Sequence, residues 1–161
     1  MEELLKLLTE NNYTIASCES YTGGMFANEI TNLSGASKVF KGSIVSYATE
    51  AKKDIVKVDE KILERDGAVS YECAYQMAKN VKELFNSDIS VSFTGNAGPT
   101  TMEDKSLGLV YMGLNFFNEI IVYKLNLEGS RIDIKQKSID FICDRIKQKI
   151  KEKLNKEIII Y

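Results

Sequence analysis

Apolar residues recur along this chain in two rhythms, one helical and one alternating. Leu4, Leu5 and Leu8 share a helical face that stops near Asn11-Asn12, and Tyr13-Thr14-Ile15-Ala16-Ser17-Cys18 then reads as a strand. A second helix is expected over residues 22–33, with Phe26, Ile30 and Leu33 on one side. Residues 39–47 predict a second strand, and residues 50–56 and 60–65 predict two short helices. Ser70 is a good N-cap for the best-defined helix, in which Ala74, Met77, Ala78, Val81, Leu84 and Phe85 are placed to face a core. Residues 89–93 form a third strand. Residues 107–114 and 120–127 predict a hairpin joined through Asn115-Phe116-Phe117-Asn118, and a long last helix carries Ile139, Ile142, Ile146 and Ile150 on one stripe. The final Ile158-Ile159-Ile160-Tyr161 reads equally as a docked strand or a tail.

Strands alternating with helices, then a hairpin, predict an α/β fold: a three-layer α/β/α sandwich with a mixed sheet of about five strands. No repeat or linker divides the sequence, so residues 1–161 are expected to form a single domain. In such sheets ligands gather where parallel strands end and turns present backbone N–H groups. The turns after Cys18, Tyr47 and Phe93 are therefore the places to look for chemistry.

Composition narrows the choice of chemistry. The 161 residues carry 21 Lys+Arg against 23 Asp+Glu and no histidine. That absence excludes a Ser-His-Asp triad, a Cys-His pair and every His-ligated metal site. Cys18, Cys73 and Cys143 are odd in number and far apart, which fits neither a zinc knuckle nor a disulfide framework and favours a reducing cytoplasm. The acidic, amphipathic start is unlike a signal peptide, and no run is apolar enough to span a bilayer. The lysines at the end of the chain lack aromatic or arginine company, so a solvated helix face explains them better than a nucleic-acid stripe.

Each of the three turns has a plain and a chemical reading. Glu19-Ser20-Tyr21-Thr22-Gly23-Gly24 places Ser20 as a nucleophile would be placed, with helix-start N–H groups beside it, although serine is also a common N-cap. Tyr47-Ala48-Thr49-Glu50-Ala51-Lys52 offers a lysine that, if buried beside the tyrosine, would lose its proton more easily and serve as a base. Lys52 could equally face solvent. Thr94-Gly95-Asn96-Ala97-Gly98-Pro99 could wrap a phosphate or a base edge, or simply leave a strand tightly. It lacks the spacing of a Walker or dinucleotide fingerprint.

Together with Gly67-Ala68-Val69-Ser70 and Gly129-Ser130-Arg131, these turns resemble, in order, the motifs of the CinA C-terminal domain family. Active members of that family are nicotinamide-nucleotide amidohydrolases. The resemblance implies that Ser20 attacks the carboxamide carbon of nicotinamide mononucleotide, with Lys52 as general base and Tyr47 helping to pass a proton to ammonia. It implies that Arg131 binds the 5′-phosphate and that Thr22, Gly23, Gly24, Thr94, Gly95, Ala97, Gly98 and Lys105 line the substrate site. The substrate is then a small nucleotide, and neither a metal nor an organic cofactor is implied. The family resemblance also implies self-association, and the chain's start close to the first motif gives the expectation of a stand-alone form without a fused N-terminal domain.

Two departures bear on this. Tyr21 stands where the family has cysteine, and its ring is expected to narrow the pocket or stack on the pyridine. The run from Thr100 to Gly108 is one residue shorter than the family's loop and lacks its glycines and proline, although Lys105 and Gly108 still align. Two alternatives to nicotinamide mononucleotide deamidation therefore stay open: a catalytically silent nucleotide-binding domain, and hydrolysis of another small amide.

Overall fold

The computed structural model describes residues 1–160. In chain order the elements are α1 (Glu2–Asn11), β1 (Ile15–Glu19), α2 (Met25–Thr31), a 3-10 turn (Ala36–Lys38), β2 (Phe40–Val45), α3 (Thr49–Asp54), α4 (Glu60–Arg65), α5 (Tyr71–Phe85), β3 (Ile89–Gly95), β4 (Leu109–Phe116), β5 (Glu119–Asn126) and α6 (Arg131–Ile160). The five-stranded sheet runs β2-β1-β3-β4-β5. β1 is parallel to both β2 and β3, whereas β4 and β5 are antiparallel additions. The expected mixed sheet between helical layers is present, with α1, α2 and α6 on one face and α5 on the other.

Strand alternation explains why the two faces differ. On β3, Ile89, Val91 and Phe93 enter the larger core beneath α1, α2 and α6. The intervening Ser90, Ser92 and Thr94 are fully buried on the other side, where a hydroxyl requires a partner. Ser90 Oγ donates to the Ala78 carbonyl at 2.6 Å, Ser92 Oγ to Ala74 at 2.7 Å and Thr94 Oγ1 to Ala68 at 2.6 Å. Small residues and direct hydroxyl-to-carbonyl contacts thus bring α5 close against the sheet. Ser70 caps α5 as expected, its Oγ accepting the Cys73 N–H at 3.1 Å.

Several boundaries differ from the sequence expectation. Residues 22–24 do not begin α2: Gly23 and Gly24 both adopt positive φ, 60° and 98°, and form a turn ahead of it. Leu84 does not face the core but is 60% exposed, because it lies on the margin of the α5 stripe. The hairpin is tighter than expected, since Phe116 still pairs with Glu119 and only Phe117 and Asn118 turn. Ile158 and Ile159 are neither strand nor docked tail but exposed residues of α6, and Tyr161 lies outside the described residues. The stripe of Ile139, Ile142, Ile146 and Ile150 is fully buried.

Candidate active site

The three parallel strands end side by side, so the turns beginning at Ser20, Ser46 and Asn96 converge at one end of the sheet. The Ser20 N–H still bonds the Phe93 carbonyl at 2.9 Å, which continues the β1 ladder one residue past the strand. Alternation therefore sends Cys18 and Ser20 toward the α3 and α5 side, and Glu19 and Tyr21 toward α2 and α6.

Lys52 comes up from α3 to meet Ser20. It is 2% exposed, and its Nζ donates to Ser20 Oγ at 2.9 Å and to the Ser46 carbonyl at 2.7 Å, with the Tyr47 carbonyl at 3.4 Å. No carboxylate pairs with it among the described residues. Burial pushes the Lys52 ammonium below its ordinary pKa, and charge interactions with Cys73, Cys18, Glu103 and Glu50 oppose this without reversing it. Glu50 is exposed and makes no hydrogen bond or ion pair with Lys52 among the described residues. A serine hydroxyl against a desolvated amine is an arrangement in which the amine can act as a base and the hydroxyl as a nucleophile.

The ground beneath Ser20 is set by Glu19, which sequence reasoning left unassigned. This fully buried carboxylate accepts from Thr22 Oγ1 and the Phe26 N–H through Oε1, and from the Ala27 N–H, Ser17 Oγ and Ser43 Oγ through Oε2. It satisfies the first turn of α2 from outside the helix and fixes the turn that carries Ser20. The available signal was an acid next to the candidate serine and just ahead of a helix that lacks a side-chain cap. The N–H groups of Tyr21, Thr22 and Gly24 have no hydrogen-bond partner among the described residues.

Arg131, at the start of α6, closes the site. Its guanidinium donates to the Tyr47 hydroxyl at 2.7 Å and to the Gly98 carbonyl, so one side chain ties together two of the three turns. Tyr47 is 57% exposed, and its phenol meets Arg131 rather than Lys52 or Ser20.

Other candidate residues are brought near but use their polar groups internally. Thr22 Oγ1 is taken by Glu19 and Thr94 Oγ1 by the Ala68 carbonyl, Gly95 packs against Val110, and Ala97 is buried. Lys105 is drawn away altogether: its Nζ donates to the carbonyls of Asp66 and Val69 and to Glu103. Burial alone would raise the Glu103 pKa, but hydrogen bonds from Lys105, Val69 and Ala68 hold it below the ordinary value. The short loop is thereby clamped onto Gly67, where a Cβ would collide with the Glu103 carboxylate.

A sequence model of the CinA C-terminal domain matches residues 1–150. The chain belongs to the CinA C-terminal domain family. It is 43% identical over 149 residues to a Bacillus cereus protein named as competence-damage inducible, and equally to one from Bacillus mycoides. The match covers 92% of this chain and 36% of each relative, so the chain spans about a third of their length. Among solved structures, a CinA superfamily protein from Klebsiella pneumoniae superposes with a TM-score of 0.89 at 23% identity, covering 92% of this chain and 94% of that one. A competence or damage-inducible protein from Enterobacter asburiae gives 0.90 at 25% identity, with the same coverage.

Against the CinA pattern, Tyr21 does not take the place expected of it. It is 4% exposed, turned away from Ser20 into the core, with its hydroxyl donating to Ser138 Oγ of α6 at 2.7 Å and its ring edge-on to Phe93. The larger side chain is absorbed by the α6 side of the sheet, on the face opposite Ser20 and Lys52. Cys18, the nearest rival nucleophile, is fully buried against Ser46 Oγ, and burial pushes its thiol up to about 11. Among the described residues no helix is long and apolar enough to cross a membrane.

Proposed function

We propose that this CinA-family chain is an amidohydrolase that converts nicotinamide mononucleotide to nicotinate mononucleotide and ammonia, as part of pyridine-nucleotide salvage. The observation that carries the reading is the 2.9 Å contact between Ser20 Oγ and the buried Nζ of Lys52, with no carboxylate to hold the lysine charged. Neutral Lys52 takes the hydroxyl proton as Ser20 Oγ bonds to the carboxamide carbon. N–H groups of the Tyr21 to Gly24 turn receive the negative oxygen. Collapse breaks the C–N bond, and the proton held on Lys52 leaves with ammonia, so a serine ester remains. Water then gives a proton to Lys52 and attacks the ester, which regenerates Ser20 and releases the carboxylate.

In this reading the phenol of Tyr47, held by Arg131 at the mouth of the site, helps pass that same proton from Lys52 to the departing ammonia. Arg131 retains N–H groups beyond the two it uses on Tyr47 and Gly98, and these meet the substrate's anionic end. The test is ammonia release from nicotinamide mononucleotide. Ser20→Ala should abolish turnover and leave nucleotide binding nearly intact, because it removes the attacking oxygen and little volume. Binding without ammonia release by the wild type would instead indicate a silent nucleotide-binding domain.

A further inference from the structure

Two backbone N–H groups decide what chemistry the side chain at position 19 must have. α2 has no side-chain cap of its own, since its N-cap is Gly24. The Phe26 N–H instead donates to Glu19 Oε1 at 2.9 Å and the Ala27 N–H to Oε2 at 3.1 Å, so each oxygen must accept from a donor that cannot turn away. A carboxylate can do this and a carboxamide cannot. In Glu19→Gln either orientation of the amide sets its NH2 against one of these N–H groups, at a position closed to solvent. The hydroxyls of Thr22, Ser17 and Ser43 supply the remaining donors, at 2.9, 3.1 and 3.2 Å.

The same residue joins the segment that carries Ser20 to the segment that anchors Lys52. On one side its carboxylate pins the far end of the Ser20 turn, at Thr22 and at the start of α2. On the other it takes the Ser43 hydroxyl of β2, and its own carbonyl accepts the Ser46 N–H at 2.9 Å just past that strand. The Ser46 carbonyl in turn receives Lys52 Nζ at 2.7 Å, and the same Nζ reaches Ser20 Oγ at 2.9 Å. We propose that Glu19 is a positioning residue for the reaction, whose carboxylate holds the Ser20 turn and the end of β2 in one register and thereby fixes the separation of Ser20 Oγ and Lys52 Nζ. Glu19 bonds to neither of these atoms and acts only through the two segments. The proposal rests on the reading of Ser20 and Lys52 as nucleophile and base, and adds the group that keeps them aligned.

The experiment compares ammonia release from nicotinamide mononucleotide by wild type, Glu19→Gln and Glu19→Asp, each corrected for its folded fraction by circular dichroism. Glu19→Gln should lose about 10–100-fold in kcat, the size of a displacement of about 1 Å in a reacting pair, with KM almost unchanged. Glu19→Asp keeps two acceptor oxygens on a shorter stem and should fall between wild type and Glu19→Gln; it carries the test alone if Glu19→Gln does not fold. Ser90→Ala, which removes a buried hydroxyl bond to the Ala78 carbonyl away from the site, controls for lost stability and should keep the wild-type kcat. A wild-type kcat in the folded Glu19 variant, or an equal loss in Ser90→Ala, would overturn the proposal. A fluorophosphonate reads the pair without any nucleotide, because its phosphorus bonds to Ser20 Oγ as fluoride leaves and the hydroxyl proton passes to Lys52. If the wild type releases no ammonia yet is labelled at Ser20, the amidase reading fails; labelling about tenfold slower in the Glu19 variant then upholds the positioning role, and equal rates overturn it. Wild-type protein inert to both reagents would leave no nucleophile to position and would overturn the proposal with the reading.

Discussion

Replacing Lys52 by methionine keeps a long flexible stem and removes the ammonium. Burial depresses the Lys52 pKa below its ordinary value of 10.5 in the folded chain. Between the folded and the unfolded pKa, the unfolded chain holds a proton that the folded chain has lost, so stability rises with pH across that window. Below the folded value both states are protonated, and the wild type carries the full cost of a buried charge. The difference in unfolding free energy, wild type minus Lys52→Met, should therefore climb toward alkaline pH, with a slope of at most about 1.4 kcal/mol per pH unit. The variant also strips the Ser46 carbonyl of its 2.7 Å donor, at about 1–3 kcal/mol, but that loss does not titrate and leaves the slope untouched. Cys18 and Cys73, raised by burial to about 11 and about 12, act in the opposite direction, since their unfolded thiols ionise first. Both proteins contain them, and although Lys52 lowers both thiols somewhat, the folded thiols stay largely protonated over the range measured, so the subtraction removes most of their effect. Urea unfolding at matched points from about pH 6 to about pH 10 measures the difference, and ammonia release should drop about 10²–10⁴-fold in parallel. A difference that stays flat or shrinks as pH rises would show that folding does not disfavour the charged lysine, and the proposed base would lose its physical footing.

Two further outcomes test the placement of neighbouring residues. Tyr21→Phe should cost about 1 kcal/mol in chemical denaturation, because it removes one buried hydrogen bond while Ser138 Oγ keeps the Ile134 carbonyl. A large rise in KM with unchanged stability would return the ring to the substrate cavity. Lys105→Met should destabilise the fold by about 2 kcal/mol and speed hydrogen exchange at the Ala68 and Val69 amides, which donate to the Glu103 carboxylate that Lys105 steadies. An effect confined to KM would make Lys105 a substrate ligand after all.

Much of this molecule was legible in the order of its residues. Period-two and helical spacings are local properties, so the five strands, the buried isoleucine stripe of α6 and the Ser70 cap could be read directly. The absence of histidine left lysine as a natural partner for a serine, and motif order placed Ser20, Lys52 and Arg131 in one family's pattern. What sequence spacing could not supply was where each side chain goes once the chain closes on itself. Ser20 and Tyr21 are adjacent, yet the extended backbone sends one to Lys52 and the other to Ser138, on opposite faces of the sheet. Lys105 fits a motif position but finds backbone carbonyls and Glu103 at bonding distance, because the short loop folds back onto the turn at Gly67. Glu19 became informative only when the donors of α2 and β2 surrounded it. Burial and partner geometry arise from contacts between residues distant in the chain, and only the tertiary structure decides them.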